Sequence, residues 1–248
     1  MDGKDVLRKV QEILWKTRQL FDPEITMKVF TKSQGNYVTS VDYSVEQYLK
    51  EELQLLLPEA GIVSEESDPQ CRDINWVIDP IDGTGNMISG FPFAVSVALV
   101  DSNGRGLLGA VMDVSRDLLF CALSGAGAFV QALDKEPERI HVKKHLSNEG
   151  LCIFGMPYNR EKAHGILAIA EKLYTISSDL KRIGPSSLDI CAVAEGRAKM
   201  YVEQDLNPWD YAAGALILKE AGGTVDQRGD LMIFCESEEV RAKVQELL

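Results

Sequence analysis

Histidine is scarce in this 248-residue chain, and its three copies, His141, His145 and His164, have no metal-ligand spacing. A zinc site and a Ser-His-Asp triad thereby lose their candidates, no Gly-x-Ser-x-Gly elbow replaces them, and each histidine is expected at the surface. The five cysteines are odd in number, widely spaced and free of any Cys-x-x-Cys pair, which fits a reducing cytoplasm rather than a disulfide framework. Gly-x-x-x-x-Gly-Lys-Ser/Thr is missing, and the Gly-x-Gly-x-x-Gly at Gly104 lies in a hairpin turn instead of a strand-to-helix turn, so nucleoside triphosphate and dinucleotide folds are disfavoured. Long apolar runs are missing too. The longest, residues 91–100, falls short of a bilayer span, and the charges Asp2, Lys4, Asp5, Arg8, Lys9 and Glu12 are wrong for a signal peptide. A cytoplasmic protein with no membrane partner is expected. Positive charge is also deficient: 26 Lys and Arg stand against 38 Asp and Glu, a net charge of −12, so nucleic acid is not an expected partner. An acidic protein that handles an anionic substrate needs a local positive charge, which a bound divalent cation supplies.

What the chain does have is a mixed helix and strand pattern. Val6, Val10, Ile13, Leu14, Thr17 and Phe21 recur at helical spacing, which predicts an amphipathic helix over 4–21. A second helix is expected over 44–57, stopped by Pro58. Short β-type runs at 61–63, 75–78, 93–100, 106–112 and 118–123 are separated by Gly, Asp and Asn turns and should pair into one sheet. A polar stretch at 131–145, with Pro137, precedes a half with alternating signals. Strands are expected there at 151–154 and 199–202, and helices at 161–174, 188–195, 209–221 and 238–248. These elements suggest a layered sandwich of helices and sheets in two domains, an α+β domain over 1–140 and an α/β domain over 141–248.

The most informative segment is a hydrophobic strand that runs from Trp76 into Asp79-Pro80-Ile81-Asp82-Gly83-Thr84-Gly85-Asn86. Pro80 fixes one backbone angle, Gly83 and Gly85 leave room for a ligand to approach the backbone, and Asp79 and Asp82 can face one point. Two carboxylates so placed repel unless a hard cation sits between them, and oxygen-only ligands suit magnesium. The competing reading is an Asx-rich turn capping a helix that begins near Thr84. Ser64-Glu65-Glu66-Ser67 places acids at another strand end; alone it reads as a solvated turn, and only the Asp pair makes Glu65 a ligand candidate. Asn207, Pro208 and Asp210 fit the N-cap, N1 and N3 positions of an apolar helix. An Asp in that place can also hold a cation. Glu203 and Asp205 add carboxylates just upstream.

Taken in order, Ser64-Glu65-Glu66, the Asp79 to Thr84 segment and Trp209-Asp210-Tyr211-Ala212-Ala213-Gly214, closed by Gly222-Gly223, resemble the motifs of the inositol monophosphatase family over nearly the whole chain. The resemblance implies a five-layer αβαβα sandwich of the inositol monophosphatase and fructose-1,6-bisphosphatase type. It also implies a magnesium-dependent, lithium-sensitive phosphomonoesterase that forms homodimers and acts on a small phosphorylated substrate. Two or three Mg²⁺ per site would be held by Glu65, Asp79, the carbonyl of Ile81, Asp82 and Asp210, so that the N-terminal domain carries most ligands and Asp210 completes the set. Asp79 is then the natural bridging ligand. Gly83 and Thr84 would bind phosphate through backbone N–H groups, which a helix N-terminus also favours on physical grounds. The Thr84 hydroxyl, supported by Asp42, resembles the pair that activates the attacking water, with Glu65 and Asp82 sharing the catalytic role. Lys32 matches a basic residue near the site. Ser186 and Glu203, with Asp82 and Asp210, match positions that touch substrate.

Two departures bear on the substrate. Gly85 and Met87 stand where inositol phosphatases of the family have Thr and Phe, so the expected ester is inositol monophosphate or a related sugar phosphate. Fructose 1,6-bisphosphate and nucleotide bisphosphates are the alternatives. Asn86 argues against the latter, while Gly155-Met156-Pro157-Tyr158 resembles bacterial and archaeal relatives, some of which hydrolyse the former. The alternative from another class is a regulatory binding protein that uses the phosphatase scaffold to dock a partner.

Overall fold

The computed structural model describes residues 2–21, 27–146 and 148–248. Helix α1 (Gly3–Thr17) is capped by Asp2, whose carboxylate accepts the Asp5 N–H at 2.8 Å, and is followed by a 3₁₀ turn (Arg18–Phe21). A hairpin of β1 (Val29–Ser33) and β2 (Asn36–Thr39) leads into α2 (Ser40–Leu56). This helix begins four residues before the expected 44 because Thr39 and Asp42 form a capping box that satisfies its first N–H groups. Then come β3 (Gly61–Ser64), β4 (Ser67–Gln70), β5 (Ile74–Asp82), the short α3 (Thr84–Ile88), β6 (Ala94–Asp101), β7 (Gly106–Asp113), β8 (Leu118–Leu123), β9 (Gly127–Ala132) and β10 (Glu138–Ile140). The remainder holds β11 (Leu151–Phe154), α4 (Ala163–Tyr174), β12 (Asp179–Lys181), α5 (Ser186–Ala194), β13 (Met200–Gln204), α6 (Pro208–Glu220), β14 (Thr224–Arg228), β15 (Leu231–Cys235) and α7 (Glu238–Leu247).

Strands β3 to β10 form one eight-stranded sheet in the order β10-β9-β8-β7-β6-β5-β3-β4, and β11 to β15 form a five-stranded sheet in the order β12-β11-β13-β15-β14. Period-2 alternation along the strands decides what covers each face. Trp76 and Ile78 of β5, with Val95 and Val97 of β6, pack under α1 and α2 through Val10, Leu14, Val45, Leu49 and Leu53. The alternate residues Val77 and Ala98 face the other way, into a core shared with α5 and α6. That core is closed from the far side by Tyr201 and Phe234, whereas Met200, Val202, Ile233 and Cys235 of the same strands turn outward onto α4 and α7. The layers are therefore helix pair, sheet, helix pair, sheet, helix pair, the five-layer αβαβα sandwich.

The polar stretch 131–145 contains the end of β9 and all of β10, an edge strand paired antiparallel to β9. Expected strands are also outnumbered elsewhere: β1, β2, β4, β9, β10, β12, β14 and β15 had no counterpart among them. Strand β4 contains Pro69 and is tolerated because it lies at the sheet edge, where its missing N–H breaks no ladder. Among the described residues no helix is long and apolar enough to cross a membrane.

Candidate active site

Asp79 and Asp82 lie at the end of β5, and their separation of three would place them on opposite faces of a regular strand. The β5–β6 register shifts between these two residues, which allows both to reach one cleft. Asp79 Oδ1 accepts the Ile81 N–H at 3.1 Å and so closes the chain over Pro80. Gly83 follows with φ +89°, a left-handed conformation that glycine adopts without steric cost, and serves as the N-cap of α3. Asp210 enters from the opposite half of the chain at the start of α6, where its carboxylate accepts the Asn207 N–H at 2.6 Å as the capping pattern predicts. One carboxylate oxygen each from Asp79, Asp82 and Asp210 lies within 4.8 Å of the others.

These are acids under strain from burial and from one another. Asp79 is 1% exposed, and burial together with the charges of Glu65, Asp82 and Asp210 pushes its carboxyl well above the usual range. Burial lifts Asp82 to about 6 against the opposing hydrogen bond from Ser187, whose N–H is 2.7 Å away. Burial and the neighbouring Asp82 lift Asp210 to about 8. Glu65 is raised by burial and partly relieved by Lys32, whose ammonium bonds Glu65 at 3.0 Å and also Glu66. Burial opposes the charge on Lys32, but the two carboxylates outweigh it and hold the ammonium above its ordinary value. Among the described residues no salt bridge reaches Asp79, Asp82 or Asp210. A set of oxygen-only carboxyl groups, two of them buried, pushed up by burial and mutual repulsion and without a counter-cation among the described residues, fits a hard divalent ion such as magnesium.

Beside them stands a hydroxyl. Thr84 Oγ1 lies 2.9 Å from Asp42 Oδ1 and 3.1 Å from the Ile81 carbonyl, and it can donate its one proton to either. The second oxygen of Asp42 accepts the Thr39 N–H at 2.8 Å and the Thr39 hydroxyl at 2.5 Å. Asp42 is fully buried, and burial raises its carboxyl despite these three donors.

The far wall comes from α5 and β13. Glu203 Oε2 accepts Ser186 Oγ at 3.1 Å and the Tyr201 hydroxyl, and burial raises its carboxyl against those donors. Asp189, 3% exposed, accepts the Gly184 N–H at 2.9 Å, and burial pushes it up to about 8. An acid raised on folding contributes stability that is full below its unfolded value, near 4, and is lost as pH rises to the folded value. Asp189→Asn keeps an acceptor for Gly184 but cannot ionise. Its advantage over the parent is expected to grow by about 1.4 kcal/mol per pH unit up to about pH 8 and to level off above it. Thermal denaturation from pH 5 to 9 checks this, and a gap independent of pH would contradict the buried-acid account.

Glu65, Asp79, Ile81, Asp82, Gly83, Thr84, Ser186, Glu203 and Asp210 all line one cleft of about 260 Å³. Asp42 sits beneath it on Thr84, and Lys32 reaches it through Glu65. Asp205 also lines the cleft but turns its carboxylate to Lys162 at 2.6 Å. Sequence reasoning missed Asp189, Arg182 and Tyr201; the first two line the cleft and the third bonds Glu203. The alternation of strand 199–202 places Tyr201 and Glu203 on one face, which was the available signal for Tyr201. His145 departs from the surface position expected of it. Its Nδ1 lies 2.5 Å from Glu236, which is 1% exposed, because the segment before β11 folds back over the end of β15.

The model of the inositol monophosphatase family matches residues 4–238. The Nus factor SuhB of Xylella fastidiosa is 39% identical over 202 residues, 81% of this chain and 72% of that protein. Among solved structures, the extragenic suppressor protein SuhB of Bartonella henselae superposes with a TM-score of 0.88 at 28% identity, covering 98% of both chains. The inositol monophosphatase of Thermotoga maritima superposes at 0.83 with 29% identity, again over 98% of both chains.

Proposed function

The chain belongs to the inositol monophosphatase family, and from that premise we propose that it is a magnesium-dependent phosphomonoesterase, hydrolysing inositol monophosphate or a related sugar phosphate by direct attack of water. The observation that carries this reading is the convergence of Asp79, Asp82 and Asp210 within 4.8 Å beside the Thr84–Asp42 pair. Glu65, Asp79, the Ile81 carbonyl, Asp82 and Asp210 would hold the ions. Bound magnesium supplies Lewis-acid charge neutralisation for the phosphoryl group and lowers the proton affinity of water.

The chain's own residues do the rest. Thr84 would relay a proton: as its oxygen takes one from a water in the cleft it passes its own to Asp42 Oδ1, a carboxylate that Thr39 holds in place. The N–H groups of Gly83 and Thr84 precede any helical acceptor and are available to phosphoryl oxygens. Glu203 and Ser186 stand at the other wall to meet hydroxyls of the alcohol. No covalent phosphoenzyme is needed. A homodimer in the cytoplasm, inhibited by lithium, belongs to the same reading; light scattering at twice 27.4 kDa tests the dimer.

Purified protein with magnesium is expected to release phosphate from inositol 1-phosphate, and a chelator should stop it. Release from none of inositol 1-phosphate, fructose 1,6-bisphosphate, nucleotides or an aryl phosphate would end the enzymatic reading. A second reading, a regulatory binding role, is favoured by the name Nus factor carried by the Xylella fastidiosa relative. Recovery of a transcription complex on the tagged chain, undisturbed by Asp82→Asn, would support it.

A further inference from the structure

Tyr201 stands two residues before Glu203 on β13, and side chains at that spacing share a face of a strand. Its ring is fully buried, lies opposite Phe234 in the β13–β15 register and stacks on it, with centroids 5.5 Å apart and planes at 23°. A ring so held has no freedom to swing, and its hydroxyl donates to Glu203 Oε2. Burial next to Glu203 keeps this phenol far above its ordinary value, so it is a donor at neutral pH. Ser186 Oγ donates to the same oxygen at 3.1 Å. Oε1 of Glu203 receives no protein donor among the described residues, although Glu203 lines the cleft. On the remaining side, a Cβ at position 155 would stand 2.0 Å from Oε2 and 2.5 Å from Oε1, so the carboxylate lies against the Gly155 backbone.

We infer that Tyr201 is a positioning residue for alcohol specificity: it pins Glu203 through one carboxylate oxygen and so presents the other to a hydroxyl of a polyol phosphate. This inference rests on the phosphomonoesterase reading and goes further, because it names what lets the site tell a polyhydroxylated ester from a bare one. A carboxylate already held in place loses little rotamer freedom when substrate arrives, and that saving appears as affinity. A hydroxyl bound to a charged acceptor is worth roughly ten- to a hundredfold in binding. Losing the pin forfeits part of that factor.

The experiment is the steady-state kinetics of Tyr201→Phe with magnesium on two esters, inositol 1-phosphate and 4-nitrophenyl phosphate, which lacks alcohol hydroxyls. Phenylalanine keeps the ring and its stack on Phe234. The KM for inositol 1-phosphate is expected to rise roughly five- to twentyfold with kcat within about twofold, while both constants for the aryl ester stay within about twofold. Glu203→Ala removes the carboxylate itself and should raise the KM for inositol 1-phosphate at least as far; an unchanged KM there overturns the positioning role even if the Tyr201 variant does not fold. An unchanged KM in Tyr201→Phe, or an equal loss on both esters, overturns the positioning role alone. So does a wild-type protein that hydrolyses the aryl ester and not the polyol ester. A wild-type protein that turns over neither ester overturns the phosphomonoesterase reading and this inference with it.

Discussion

Thr84→Ala is expected to lower turnover by about two to four orders of magnitude, with the thermal midpoint within a few degrees of the parent. The asymmetry follows from where the hydroxyl sits. Removing it deletes the hydroxyl that joins the buried Asp42 carboxylate to the cleft, yet Asp42 keeps both donors from Thr39 and remains satisfied. One buried hydrogen bond costs roughly 1 to 2 kcal/mol of stability, and proton transfer in the reaction depends on it for far more. Thr84→Ser keeps a hydroxyl at the same atom and should retain most of the turnover. Asp42→Asn is a poorer probe, because its amide cannot accept every donor that Asp42 accepts and the capping box of α2 suffers with it. Phosphate-release kinetics with thermal unfolding measured in parallel decides the matter. Full turnover in Thr84→Ala removes the hydroxyl from the mechanism, and gross unfolding makes its role structural.

The parts of the fold legible in the sequence are those whose burial is one-sided or complete. Strand β5 stands out because Trp76 to Ile78 form an apolar run ending in turn-forming residues, and α6 because Asn207 and Pro208 mark its start. Strand β1 was not legible: all five of its residues are exposed, so no alternation betrays it. Strands β12 and β14 carry at most half-buried residues, so neither shows an alternating pattern, and β12 pairs with β11, some way back in the chain. The site divides in the same way. Asp79, Asp82 and Asp210 announce themselves through local turn and cap chemistry, whereas Thr84 and Asp42 are 42 residues apart and only the family resemblance linked them. Asp189 reads as an ordinary acid in the first turn of a helix. Its burial arises only because α5 is sandwiched between two sheets, a fact of the third dimension that no local pattern carries.

The acidic cluster makes a different demand on the protein, which Asp79→Asn exposes as a crossover in stability. Asp79, Asp82 and Asp210 lie within 4.8 Å of one another, and no salt bridge reaches them among the described residues. At such separations a pair of full charges repels by about 3 to 4 kcal/mol at an effective dielectric of about 20, a cost the acids reduce by holding protons. Asparagine at position 79 retains an oxygen for the Ile81 N–H, so the turn over Pro80 survives while one charge is lost. In chelator the variant is therefore expected to be at least as stable as the parent. Magnesium reverses the order. An ion at about a hundred times its dissociation constant stabilises the parent by about 2.7 kcal/mol, roughly 5 to 10 °C in a chain of this size, and the variant gains little of it. Turnover should fall by about three orders of magnitude in the same variant, since the charge that neutralises the phosphoryl group is no longer held. Thermal unfolding of both proteins in chelator and in magnesium reads the crossover directly. A parent indifferent to magnesium would mean that these carboxylates gather for some purpose other than holding a cation, and repulsion among them would then stand uncompensated in the folded chain.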